Sequence, residues 1–115
     1  MPPTLADRVR HILEAILHIE RALAGIGYEQ FAGDLFLRLA FERLLEIISE
    51  ASRKIPVEVK AEEPDIAWQK MADLGNRLRH AYHQIEPEIL WRIAREDLTP
   101  LKQFADRIVR DERKR

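Results

Sequence analysis

Apolar residues return at steps of three and four from Leu5 to Leu23, as Leu5, Val9, Ile12, Ile16, Ile19 and Leu23, with Arg8, Arg10, Glu14, Glu20 and Arg21 between them. A strand would alternate every second residue, so this spacing commits the segment from about Thr4 to Ala24 to an amphipathic helix. The Thr4 hydroxyl suits the N-cap, and Gly25-Ile26-Gly27 supplies the stop. The same period returns from a start between Gln30 and Asp34 to Arg53, on a stripe of Leu37, Phe41, Leu44, Ile48 and Ala51. Leu35, Phe36, Leu45 and Ile47 widen that stripe past one face. A helix apolar over more than half its circumference is central in a bundle or shared with a second molecule, and the reading here is both: a homodimer is expected.

Lys54 to Glu63 breaks the period, and Val57-Glu58-Val59-Lys60 alternates like a strand. No second strand-like run exists to pair with it, so an extended linker is expected. Pro64-Asp65 is expected to open a third helix with Trp68, Met71, Leu74, Leu78, Ala81 and Ile85 on its apolar side, ended or kinked by Pro87. A fourth helix follows from about Pro87 to Arg95, and Thr99-Pro100 reads as the N-cap and first-turn pair of a fifth carrying Leu101, Phe104 and Ile108. The mixed-charge end from Arg110 to Arg115 is expected to fray. These elements predict an all-α, antiparallel four- to five-helix bundle; 115 residues at 46% hydrophobic suit one domain over residues 1–115.

The chemistry concentrates in Asn76-Arg77-Leu78-Arg79-His80-Ala81-Tyr82-His83. An imidazole can move a proton near neutral pH, and guanidinium groups bind a phosphate and stabilise charge that develops on it, so the cluster suits phosphodiester chemistry. On an ideal helix Asn76, Arg77 and His80 share a face, whereas His80 and Tyr82 lie about 200° apart. Either the helix loosens before Pro87, or a second subunit walls both sides. Arg79 lies about 100° from His80 and reads as part of the site or as a plain surface charge. The competing account is that two arginines and two histidines at a helix C-terminus only offset its dipole.

Bulk properties restrict the rest. Lys and Arg total 19 against 20 Asp and Glu, a net charge of −1, so any nucleic-acid contact must be local. The absence of cysteine removes thiolate metal sites and disulfides, and the spacing of His and acidic residues gives no metal signature; no cofactor is expected. His11 and His18 read as surface or core-edge histidines. Met1-Pro2-Pro3-Thr4 leads into a charged helix with no apolar signal core, and no run approaches the roughly 18 residues of a membrane span. A soluble cytoplasmic protein is expected.

The order of blocks resembles the HepT-like family, HEPN-type ribonuclease toxins encoded beside a minimal nucleotidyltransferase antitoxin. The resemblance rests on the segment from Arg38 to Ala51, then Ile66-Ala67-Trp68, Asn76 to Tyr82, Ile89-Leu90-Trp91, and Asp97-Leu98-Thr99-Pro100-Leu101, in the family's order and spacing. It implies a helical dimer in which two copies of an Arg-(four to six residues)-His-x-Tyr motif face a shared cleft and cut RNA without metal. His80 would transfer the proton, supported by Asn76 and Arg77, with Arg77, Arg79 and His83 on the RNA. Tyr82 would be the motif tyrosine, counted with His80, Arg77 and Asn76 among the catalytic residues, and the place where the antitoxin attaches adenylate groups. The motif arginine should stand at position 73, 74 or 75, which hold Asp73, Leu74 and Gly75. Gly75 is expected to leave a gap, with Arg77 or Arg79 supplying the cation from another direction. The alternative is a catalytically silent helical partner of a nucleotidyltransferase.

Overall fold

The computed structural model describes residues 3–80 and 85–114. Four long helical stretches build the bundle: α1 (Leu5–Leu23), α3 (Leu35–Arg53), α5 (Trp68–His80) and α7 (Leu98–Arg113), with short helices α2 (Tyr28–Ala32), α4 (Val57–Ala61) and α6 (Pro87–Arg92) between them. No strand occurs among the described residues. None of the described helices is long and apolar enough to cross a membrane.

The first helix is set by its cap. Asp7 N–H donates to Thr4 Oγ1 at 3.1 Å while Thr4 N–H donates to Asp7 Oδ2 at 2.9 Å, a reciprocal box that satisfies two amides. Gly25, at φ 75°, takes the left-handed turn that follows. Asp34 caps α3 by accepting from Leu37 N–H at 3.0 Å.

α3 is central: it packs between α1 and α5, while α1 packs on its other side against α7. The Lys102–Glu20 pair at 3.0 Å and the Arg10–Glu112 pair fix α1 and α7 antiparallel. Trp68 meets Phe104 edge-on at 5.6 Å, which closes the start of α5 onto α7. A second aromatic group seats α6: Phe31 lies 5.5 Å from Phe41 and 5.4 Å from Trp91.

Four expectations need correction. Residues 57–61 form a helical turn, not an extended linker, and Lys60 N–H donates to the Pro56 carbonyl at 3.1 Å; with no strand to pair with, local bonds satisfy the backbone. The third helix opens at Trp68 rather than at Pro64-Asp65, after a turn in which Trp68 Nε1 donates to the Glu63 carbonyl at 3.2 Å. Thr99-Pro100 starts no separate helix. From Pro87 to Arg113 the chain is helical throughout, and Ile93–Asp97 forms a π turn in which Leu98 N–H reaches the Ile93 carbonyl. Pro100 offers no donor and its ring crowds the carbonyl four residues back; the widened turn just upstream absorbs that mismatch without breaking the helix. Arg110 to Arg113 stay helical, tied by Glu112 to Arg10.

The buried face of α3 also differs from the expected stripe. Phe41 and Ile48 are buried as expected, but Leu45, Ser49 and Ser52 join them, while Leu37, Leu44 and Ala51 are only partly covered. Both serines are buried, and at Ser49 the reason is the close passage of α5.

Candidate functional site

That close approach centres on Gly75. A Cβ added there would lie 2.7 Å from Ser49 Cβ and nearer still to Ser49 Oγ, well inside ordinary contact distance. Position 75 is buried and full. The expected gap does not exist: Ser49 fills it from α3, and Arg79 Nη1 lies 3.5 Å from where the side chain would begin. Ser49 Oγ and Ser52 Oγ have no hydrogen-bond partner among the described residues, so these positions are small for the sake of the approach rather than for a polar contact.

The last turns of α5 carry Asn76, Arg77, Arg79 and His80, all exposed. Asn76 gathers the cations. Its Oδ1 accepts from Arg53 Nη1 of α3 at 3.2 Å and from Arg79 Nη2 one turn along, and Arg79 Nη1 also pairs with Glu50. On the helical wheel Asn76 lies between Arg79 and His80, at about 60° from one and 40° from the other, so the two guanidinium groups sit on the flank of the histidine's turn. Arg77 is directed elsewhere, into a hollow with Lys70, Asp73, Leu74, Ile89 and Ile93, and has no polar partner among the described residues. Lys70 in that hollow pairs with Asp97 of the π turn at 2.7 Å. Tyr82 and His83 lie outside the described residues, as does the angle expected between His80 and Tyr82.

Glu42 holds the far side of the motif. Burial pushes its carboxyl above the usual carboxylate range, opposed by the hydrogen bond it accepts from Ile85 N–H and by the charge of Arg38. It therefore tethers the chain three residues beyond Tyr82 to α3. Sequence reasoning missed Glu42, Glu50 and Arg53 as neighbours of the motif, since nothing in one strand of sequence fixes how α3 and α5 align. No group of three or more His, Asp or Glu side chains among the described residues is placed to hold a metal ion.

The chemical content is an exposed imidazole one turn after Asn76, together with two guanidinium groups that spend only part of their donors on Asn76 and Glu50. Unspent N–H donors at fixed positions suit an anion with several oxygens.

Comparison with known proteins bears on which anion. The chain is 40% identical over 96 residues to the probable ribonuclease HepT of Thermococcus cleftensis, covering 84% of this chain and 87% of that protein. It is 36% identical over 92 residues to a Methanocaldococcus jannaschii protein named as a candidate RNase, covering 80% and 84%. A Caldanaerobacter subterraneus protein named in the same way is 29% identical over 105 residues, covering 91% and 94%. No solved structure gives a significant match. The ribonuclease HepT-like family model matches residues 12–108, from the second turn of α1 to near the end of α7, and by that match the chain belongs to the ribonuclease HepT-like family.

Proposed function

We propose that the chain is the RNA-cleaving subunit of a toxin–antitoxin pair, acting without metal as a cytoplasmic homodimer and silenced by a nucleotidyltransferase. The observation that carries this reading is His80: the histidine expected to be the family's stands exposed one turn after Asn76, whose side chain gathers Arg79 of α5 and Arg53 of α3. In the reaction, His80 accepts the proton of a ribose 2′-hydroxyl as that oxygen bonds to the adjacent phosphorus. The bond from phosphorus to the 5′-oxygen breaks, and the departing oxygen takes a proton. Arginine donors stabilise the charge that builds on the non-bridging oxygens. The products are a 2′,3′-cyclic phosphate and a 5′-hydroxyl. Purified protein in EDTA should therefore release fragments with cyclic phosphate ends, detected by mass spectrometry; 3′-hydroxyl ends, or a requirement for added Mg²⁺, would overturn the mechanism.

Silencing is assigned to Tyr82. An adenylate attached there adds bulk and negative charge two residues from His80, which excludes RNA by contact and by repulsion. A Tyr82→Phe protein incubated with the cognate nucleotidyltransferase and ATP should gain no adenylate in mass spectrometry. Modification at the wild-type rate would remove the assignment.

The dimer reading draws support from the start of α3, where Leu35 is 43%, Phe36 82% and Leu39 42% exposed. Large apolar side chains gathered on one helical face favour cover, and burying one such side chain contributes about 1.5–3 kcal/mol. Phe36→Asp should convert a dimer to a monomer in light scattering. A variant of unchanged mass would move the interface elsewhere.

Gly75 is the observation that favours the rival, a silent binding partner, since it stands where the family carries arginine. Absence of cleavage by a folded, unmodified dimer would decide for that rival.

A further inference from the structure

The cations of this chain of net charge −1 are unevenly placed. Between the first turns of α1 and the last turns of α3 runs a groove of about 330 Å³ whose charged lining is Arg8, Arg43, Lys54 and Glu50, with the polar His11 among them. Arg43 is paired with Glu46. Arg8 and Lys54 have no acidic partner among the described residues. Glu50, the acidic group of that lining, is engaged from outside the groove by Arg79. The groove and the Arg53–Asn76–Arg79 group thus meet at one carboxylate, and together they form a basic strip across α1, α3 and α5. From Arg43 to Arg53 the strip follows α3 for about 15 Å, at 1.5 Å per residue, longer than one phosphate needs.

We propose that this strip is a binding track for the phosphate backbone of single-stranded RNA, entering at the turn that bears His80 and continuing past Glu50 into the α1/α3 groove. The proposal rests on the ribonuclease reading and adds to it where the rest of the substrate lies. Arg79 and Arg53 hold the phosphate nearest the histidine, exchanging part of their contact with Asn76 and Glu50 for phosphate oxygens. Arg8 and Lys54, with no acidic partner among the described residues, hold phosphates further along the groove wall. An RNA backbone fits this lining by charge, because Arg8, Arg43 and Lys54 stand along it against the single carboxylate of Glu50, beside the apolar Pro3, Ile47 and Ala51. Phosphate contacts of this kind position a strand without reading its bases.

The test uses full-length His80→Ala protein, so that RNA stays intact, and a fluorescent single-stranded 20-mer whose affinity is measured between 50 and 200 mM salt. Each lost phosphate contact lowers the slope of log affinity against log salt by about 0.7 for a single strand, so adding Arg8→Gln with Lys54→Gln should lower it by about 1.4. Arg8→Lys with Lys54→Arg should restore it. Lys102→Gln, on α7 and paired with Glu20, should leave it unchanged. With His80 present, the Gln pair should slow cleavage of the 20-mer more than cleavage of a dinucleotide. RNA binding with the same slope in parent and Gln pair would overturn the track alone. Loss of nucleotidyltransferase binding by the Gln pair, with the RNA slope unchanged, would overturn it and make the groove a protein-docking surface. Wild-type protein that neither binds nor cuts RNA would overturn the ribonuclease reading and the track together.

Discussion

Exchanging His80 for alanine should lower RNA cleavage by about 10²–10⁴-fold, the usual contribution of a positioned proton-transfer group. The size of the loss is interpretable because the fold should not notice the change. His80 is exposed on the last described turn of α5, contributes nothing to the buried core, and is replaced by a residue that favours the helix. Stability should stay within about 0.5 kcal/mol, as for surface substitutions remote from caps and networks. The measurement is single-turnover cleavage of a defined RNA with saturating enzyme, beside a thermal melt. Near-wild-type cleavage from a variant with an unshifted melt would remove His80 from the chemistry and, with it, the reading built on the motif.

The second large effect runs against simple expectation. Gly75→Arg puts an arginine at one of the positions the family motif allows, with four residues between it and His80, and restored or increased activity would be the naive forecast. The packing says otherwise. With a new Cβ 2.7 Å from Ser49 Cβ, α3 and α5 must move apart, and rotation of the Ser49 hydroxyl cannot relieve a clash with its own Cβ. Overpacking of this kind costs about 1–3 kcal/mol, and a larger side chain that also displaces the Arg79 guanidinium falls at the upper end. The gain of helix propensity over glycine returns at most about 1 kcal/mol. For a domain of this size each lost kcal/mol lowers the melting temperature by roughly 4–8 °C, so a drop on the order of 10 °C is expected, together with weaker cleavage. Pairing the change with Ser49→Gly should recover most of the melt. An unshifted melt for Gly75→Arg alone would mean that α5 lies further from α3 than described here.

How much of this was legible in the sequence depends on the kind of interaction. Local signals were sufficient for α1, whose cap at Thr4 and stop at Gly25 stand where the helix begins and ends, and for the ends of α3 at Arg53 and of the loop at Pro87. They failed at Thr99-Pro100, because a strong start signal also fits inside a helix that has already made room for proline. Nonlocal geometry was out of reach. The period of α3 could not say that Ser49 and Ser52 face inward, since that depends on a glycine 26 residues beyond Ser49. Likewise spacing favoured Arg77, on the face of His80, over Arg79, and only the partners Asn76 and Glu50 show that Arg79 is the one drawn to Asn76.

The π turn at Ile93–Asp97 has a consequence for how the chain tolerates change in length. One continuous rod serves two ends of one core: before the turn Trp91 meets Phe31 of α2, and after it Phe104 meets Trp68 at the start of α5. The wide turn is a phase shifter between them. Removing one residue from it would yield a more regular helix and at the same time rotate everything downstream by about 100°, swinging Phe104 off Trp68. In this rod, better local geometry and a correct fold are opposed, so a length change that the loop after α1 could absorb would be felt here at both aromatic contacts at once.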